Sequence, residues 1–87
     1  MREDKAAITK KLEELINMTR EGEVRLEYIR DYTAIDPFTF EPRGYYYEAV
    51  EIRTINEGGE FLQGFANVSC DSGIALIRDV LKNNYFN

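Results

Sequence analysis

Histidine is absent from the sequence. That removes Ser-His-Asp and Cys-His nucleophile pairs, imidazole-bound zinc and the commonest general base. Cys70 is the single cysteine, so neither an intrachain disulfide nor a thiolate metal cluster can form. Tryptophan is missing, and the two prolines, Pro37 and Pro42, fall in one stretch. No apolar run approaches the roughly 20 residues that span a bilayer. Neither GxxxxGK[ST] nor GxGxxG occurs, and Gly58-Gly59 belongs to a turn signal, not a phosphate cradle. These absences argue against an enzyme and imply neither cofactor nor metal.

Positive charge is also scarce. Eleven Lys and Arg stand against sixteen Asp and Glu, a net charge of −5. The cations are scattered, with only Lys10 and Lys11 adjacent. Proteins that bind a duplex concentrate cations to release counterions, so direct nucleic-acid binding is not expected. An acidic surface suits a basic partner instead. The start, Met1-Arg2-Glu3-Asp4-Lys5, lacks the character of a secretory signal. With one cysteine, the expectation is a cytoplasmic protein without a membrane segment, in which the Asn17-Met18-Thr19 and Asn67-Val68-Ser69 triplets carry no glycan.

What is present is a chain of 87 residues, 44% hydrophobic and 31% charged, which fits one globular domain over residues 1–87. Residues 4–21 place Ile8, Leu12, Leu15, Ile16 and Thr19 on one helical stripe, with Glu3 and Asp4 at the start and Gly22 as the expected C-cap. The period changes over 23–32, where Val24, Leu26 and Tyr28 alternate with Arg25, Glu27 and Ile29. A second strand is predicted over 45–55. Its Glu48 falls on the same side as Val50 and Ile52, which calls for a bulge near Ala49 or a place at the sheet margin. Asn56-Glu57-Gly58-Gly59 signals a tight turn. A third strand over 60–69 sets Leu62, Gly64, Ala66 and Val68 on one side and Phe61, Gln63, Phe65 and Asn67 on the other. Asp71-Ser72-Gly73 opens a second helix carrying Ile74, Ile77, Val80, Leu81 and Tyr85, expected to run almost to Asn87.

The expected fold is two-layer α+β in the order α-β-β-β-α: a three-stranded antiparallel meander with both helices on one face. Ile8, Leu12, Leu15, Leu26, Leu62, Val68, Ile77 and Leu81 are expected to be buried together. Cys70 reads as a packed side chain, and Asp71 and Ser72 as caps. The carboxylates of Glu27, Asp31, Glu48 and Glu51 share strands with Arg25, Arg30 and Arg53, so solvated ion pairs are expected rather than an acid–base pair.

Two features remain as binding candidates. One is the stretch 33–44, which two prolines stiffen. Of Phe38 and Phe40, one is expected to pack inward and the other to stay exposed, with Arg43 beside them, as a recognition loop or dimer arm. The other is the uncovered sheet face, where Phe61 and Phe65 are expected to meet Tyr45 and Tyr47. The element order resembles that of double-stranded RNA-binding domains, but where those open the last helix with a basic stretch this chain has Asp71-Ser72-Gly73-Ile74-Ala75, so no residue carries over. Small acidic nuclease inhibitors of phages and mobile elements are similar in size, charge and mixture of elements, without a shared motif. The reading that follows is a small acidic, non-catalytic interaction module, a homodimer or a protein-binding regulator or inhibitor. The alternative is a small-ligand-binding domain that stacks aromatic rings on its ligand, with Arg25 or Arg53 fixing a polar group.

Overall fold

Asp4 starts the first helix: its carboxylate accepts hydrogen bonds from the Ala6 and Ala7 amides at 3.1 and 3.2 Å. The computed structural model describes residues 4–68 and 72–82. Its elements are α1 (Lys5–Met18), β1 (Glu23–Tyr32), β2 (Tyr47–Asn56), β3 (Gly59–Asn67) and α2 (Gly73–Leu81). The strands form one sheet in the order β1-β2-β3, antiparallel throughout. Residues of both helices share one core with the inward side chains of all three strands: Leu12, Ile16, Val24, Leu26, Val50, Ile52, Ala66, Val68, Leu76 and Val80. The predicted α-β-β-β-α order and single covered face are therefore those of the protein.

α1 ends earlier than its sequence pattern suggests. Thr19, not Gly22, is the C-cap, and its amide and hydroxyl both donate to the Ile16 carbonyl. Gly22 instead turns the chain into β1 at φ +80°. The helix is also rolled about its axis. Thr9 is buried to 1% exposure, with its hydroxyl donated to the Lys5 carbonyl, whereas Leu15 is exposed. The cause lies one turn further along the rolled side. The Glu13 carboxylate accepts the Leu26 amide at 2.8 Å, and Asn17 brackets Val24, accepting its amide at 2.8 Å and donating to its carbonyl at 2.9 Å. β1 is a sheet edge, and these two side chains occupy edge groups that a fourth strand would otherwise take.

Two bulges shape the sheet. Pairing between β1 and β2 runs in step from Glu23–Ile55 to Ile29–Ala49, then resumes at Tyr32–Tyr47 with one extra residue on β1. The irregularity anticipated near Ala49 thus lies in the opposite strand. Glu48 sits at the sheet margin, on the helix side, paired with Lys5. Between β2 and β3, Ile52 pairs with Gly64 but Arg53 with Leu62, which leaves Gln63 as the extra residue. Its amide group donates to the Thr54 hydroxyl at 2.8 Å.

That second bulge corrects the expected faces of β3. Gly64, Ala66 and Val68 keep the helix side, but Leu62 shares the open side with Arg53 and is 53% exposed. Phe61 pairs with Thr54 and turns to the helix side, away from Phe65. A one-residue insertion exchanges the faces of everything beyond it. Leu15, Leu62 and Leu81, expected in the core, are exposed, while Ile8 and Ile77 pack only against its flank. α2 is capped by Ser72, whose hydroxyl accepts the Ala75 amide at 3.4 Å, and closes at Lys82. Cys70, Asp71 and Tyr85 lie outside the described residues.

Candidate functional site

The sheet face turned away from the helices gathers the aromatic side chains. The β1 bulge delivers Tyr32 to this face, beside Tyr47 on the neighbouring strand. Their rings meet edge to face at 5.5 Å between centroids. Phe65 lies 4.6 Å from Tyr32 and 6.1 Å from Tyr47, and Tyr45 stacks on Tyr47 at 6.3 Å. Offset and edge contacts of this kind are the favoured arrangements of aromatic pairs. Ala49 belongs to the same face, since Val50 faces the helices, yet it is fully buried outside the helix-side core. The side chains of the open face themselves screen it from water.

Beyond the rings the face is charged, in bands across the strands. Glu27 on β1 stands directly opposite Glu51 on β2, and one step further Arg25 stands opposite Arg53. The Glu51 carboxylate accepts the Arg53 guanidinium at 2.6 Å, and its side chain keeps only 12% exposure. Arg25 reaches across β2 to Glu60 at 3.4 Å. Burial, then Tyr47 and the Glu51 carboxylate, hold the Tyr32 hydroxyl above its ordinary pKa, so the ring stays neutral against the acidic band.

The stretch between β1 and β2 forms a short arm. Ile35 bridges Pro42, the Asp36 amide donates to the Glu41 carbonyl at 2.9 Å, and the Arg43 amide to the Ala34 carbonyl at 3.0 Å. At the tip the Asp36 carboxylate accepts the amides of Phe38 and Thr39, which lowers its pKa below the ordinary carboxylate value. The Phe40 amide closes the turn on the Asp36 carbonyl, with Phe40 in the left-handed region at φ +59°. Phe38 and Phe40 are 90% and 80% exposed. The expectation that one of them packs into the core is therefore corrected. The backbone bonds of the arm tie it to itself, so neither ring is drawn toward the helices.

Of the residues singled out from the sequence, Tyr45, Tyr47 and Phe65 come together, Phe38, Phe40 and Arg43 lie on the arm, and Phe61 lies on the other side of the sheet. Tyr32 was missed. Simple alternation sets it with Tyr28 on the helix side, and only the bulge brings it round. The carboxylates do not converge either. Glu27 and Glu51 occupy the open face, while Glu48 lies on the helix side between Lys5 and Tyr28. Burial, then Glu48, raises the Tyr28 pKa.

Among the described residues no group of three potential metal ligands is found, and no helix is long and apolar enough to cross a membrane. An open groove of about 570 Å³ runs between α1 and β1, with Lys10, Glu13, Arg25 and Tyr28 in its walls. The chain matches no protein-family model, no curated protein and no solved structure.

Proposed function

We propose that the protein is a non-catalytic interaction module that associates through the open face of its sheet, first of all with a second copy of itself. The observation that carries this reading is the cluster of Tyr32, Tyr45, Tyr47 and Phe65 on the side without helices. A fully covered aromatic side chain contributes roughly 1.5–3 kcal/mol by area, and an isologous contact uses each one twice. The cost of association is several kcal/mol or more, which leaves a dimer in the micromolar range. The arm adds Phe38 and Phe40, an exposed pair of rings on a backbone already ordered, so a protein partner would meet little entropic cost in engaging them. The acidic surface favours a basic partner there.

The small-ligand reading draws less support. It asks Arg25 or Arg53 to fix a polar group, and a small ligand would have to draw either guanidinium from the carboxylate it holds, Glu60 or Glu51, without supplying that carboxylate a new cation as a second copy does. Sedimentation equilibrium on the wild type and on Phe65→Glu tests the proposal, with circular dichroism to follow folding. The expected result is a wild-type dimer at tens of micromolar and a folded Phe65→Glu monomer. A wild type that stays monomeric, or a Phe65→Glu variant that still dimerises, contradicts it.

A further inference from the structure

The charge bands of the open face say how a second copy would lie on it. Like charges directly opposite each other across two strands are unfavourable. This face holds two such pairs in succession, Glu27 with Glu51 and Arg25 with Arg53. Within one copy the conflict is only partly relieved. Glu51 holds Arg53 and Arg25 holds Glu60, while among the described residues no ion pair forms at Glu27. The two bands are neighbours, one negative and one positive, which makes the face complementary to itself after a half-turn.

Resting on the self-association proposed above, we infer that two copies pack face to face about a two-fold axis that runs across the strands, between the Glu27–Glu51 band and the Arg25–Arg53 band. Each strand then lies over its own counterpart, running the opposite way. Glu27 meets the partner's Arg25, and Glu51 meets the partner's Arg53. On β3, Phe65 is the cross-strand neighbour of Glu51 and Leu62 that of Arg53. The same half-turn therefore sets Phe65 on the partner's Leu62, apolar on apolar, and gives the outward turn of Leu62 a use. It also carries the open side of β2 beyond Glu51, where Tyr47 follows the buried Ala49, over the partner's Ile55 and its Asn56–Gly59 turn. An axis laid along the strands does the opposite: Glu51 would meet its own counterpart, and so would Arg53. Electrostatic complementarity of this kind selects orientation more than it adds affinity.

Three strands spaced about 4.8 Å apart and roughly 30 Å long would bury on the order of 900 Å² in total when paired, small for a stable dimer. The association is accordingly reversible, and with the exposed charges of Glu27 and Arg25 beside its axis it weakens as salt is added.

A charge-swap experiment tests the orientation. Glu27→Arg and Arg25→Glu are made separately. Both residues are exposed, so neither change disturbs the core. Alone, each variant would set two like charges against each other on both sides of the axis, and its self-association is expected to fall at least tenfold. Mixed one to one, the variants are expected to form a heterodimer of near wild-type strength, read by sedimentation equilibrium with one copy mass-tagged. If the wild type dimerises and Phe65→Glu does not, yet both charge variants self-associate like the wild type or their mixture gives no heterodimer, the orientation is overturned while the face stands. If the wild type is monomeric, or Phe65→Glu still dimerises, the underlying reading fails, and this inference fails with it.

Discussion

The two faces of the sheet are built from the same three strands and have opposite characters. The helix side is aliphatic at its centre, where Val24, Leu26, Val50, Ile52, Ala66 and Val68 meet Leu12, Ile16, Leu76 and Val80, with Tyr28, Glu48 and Phe61 toward its margins. The other side carries every one of the aromatic contacts described, together with the Glu27, Glu51, Arg25 and Arg53 bands. An aliphatic face with few polar atoms closes a core and can do little else. An aromatic and charged face contributes less to folding and offers rings, polar edges and charge to something outside. The difference separates what holds this domain together from the surface proposed to associate.

That separation can be broken most severely from the aliphatic side. Ile52→Ala and Leu76→Ala each remove a fully buried side chain, and each is expected to destabilise the fold by roughly 2–5 kcal/mol in urea unfolding. Leu81→Ala and Leu15→Ala, at exposed positions, are expected to change it by about 0.5 kcal/mol or less. A smaller loss comes from the edge. Asn17→Ala leaves the amide and carbonyl of the buried Val24 without their partner, and an unsatisfied buried group costs about 1–3 kcal/mol. Hydrogen exchange at the Val24 amide should accelerate in that variant, while exchange at Val50 follows only the global loss.

The tyrosines sharpen the comparison through pH. Tyr28, on the helix side, and Tyr32, on the open face, both have pKa values raised above the ordinary 10.0, chiefly by burial. Folding therefore favours the neutral ring. The stability this contributes is fully present below pH 10 and is lost as the pH rises through the folded-state values. The urea midpoint is expected to hold between neutrality and about pH 9 and to fall above pH 10, less steeply in a Tyr28→Phe, Tyr32→Phe double variant. The smallest effect on stability belongs to the arm. Phe40→Gly removes an exposed ring and relieves a left-handed non-glycine residue, so the folded chain is expected to be unchanged or slightly more stable. A loss of more than about 1 kcal/mol would mean that the ring is part of the fold.

Much of the helix face was legible in the sequence. The switch from helical to alternating period placed β1 at Glu23–Tyr32, and Asn56 to Gly59 placed the turn, where the Gly58 amide bonds the Asn56 side chain at 2.8 Å. The faces of the open side were not legible at their ends. A bulge adds one residue without changing composition, so nothing in the run from Phe61 to Asn67 marks Gln63 as the extra one, and Leu62 and Phe61 were exchanged. The same kind of insertion hid Tyr32. The roll of α1 was hidden for another reason: it is set by hydrogen bonds from Glu13 and Asn17 to a strand edge, and hydrophobic spacing carries no trace of them. The exposed rings of the arm ran against the expectation that phenylalanine seeks the core, because local bonds to Asp36 outweigh it.

Backbone chemical shifts followed from dilute to millimolar protein test most directly whether the aromatic face is the surface that associates. Concentration-dependent shifts are expected at Ile29, Tyr47, Ala49, Glu51, Arg53 and Phe65, with Leu12, Ile16 and Leu76 unmoved. Shifts confined to α1 and α2, or none at any residue up to millimolar concentration, would contradict that expectation.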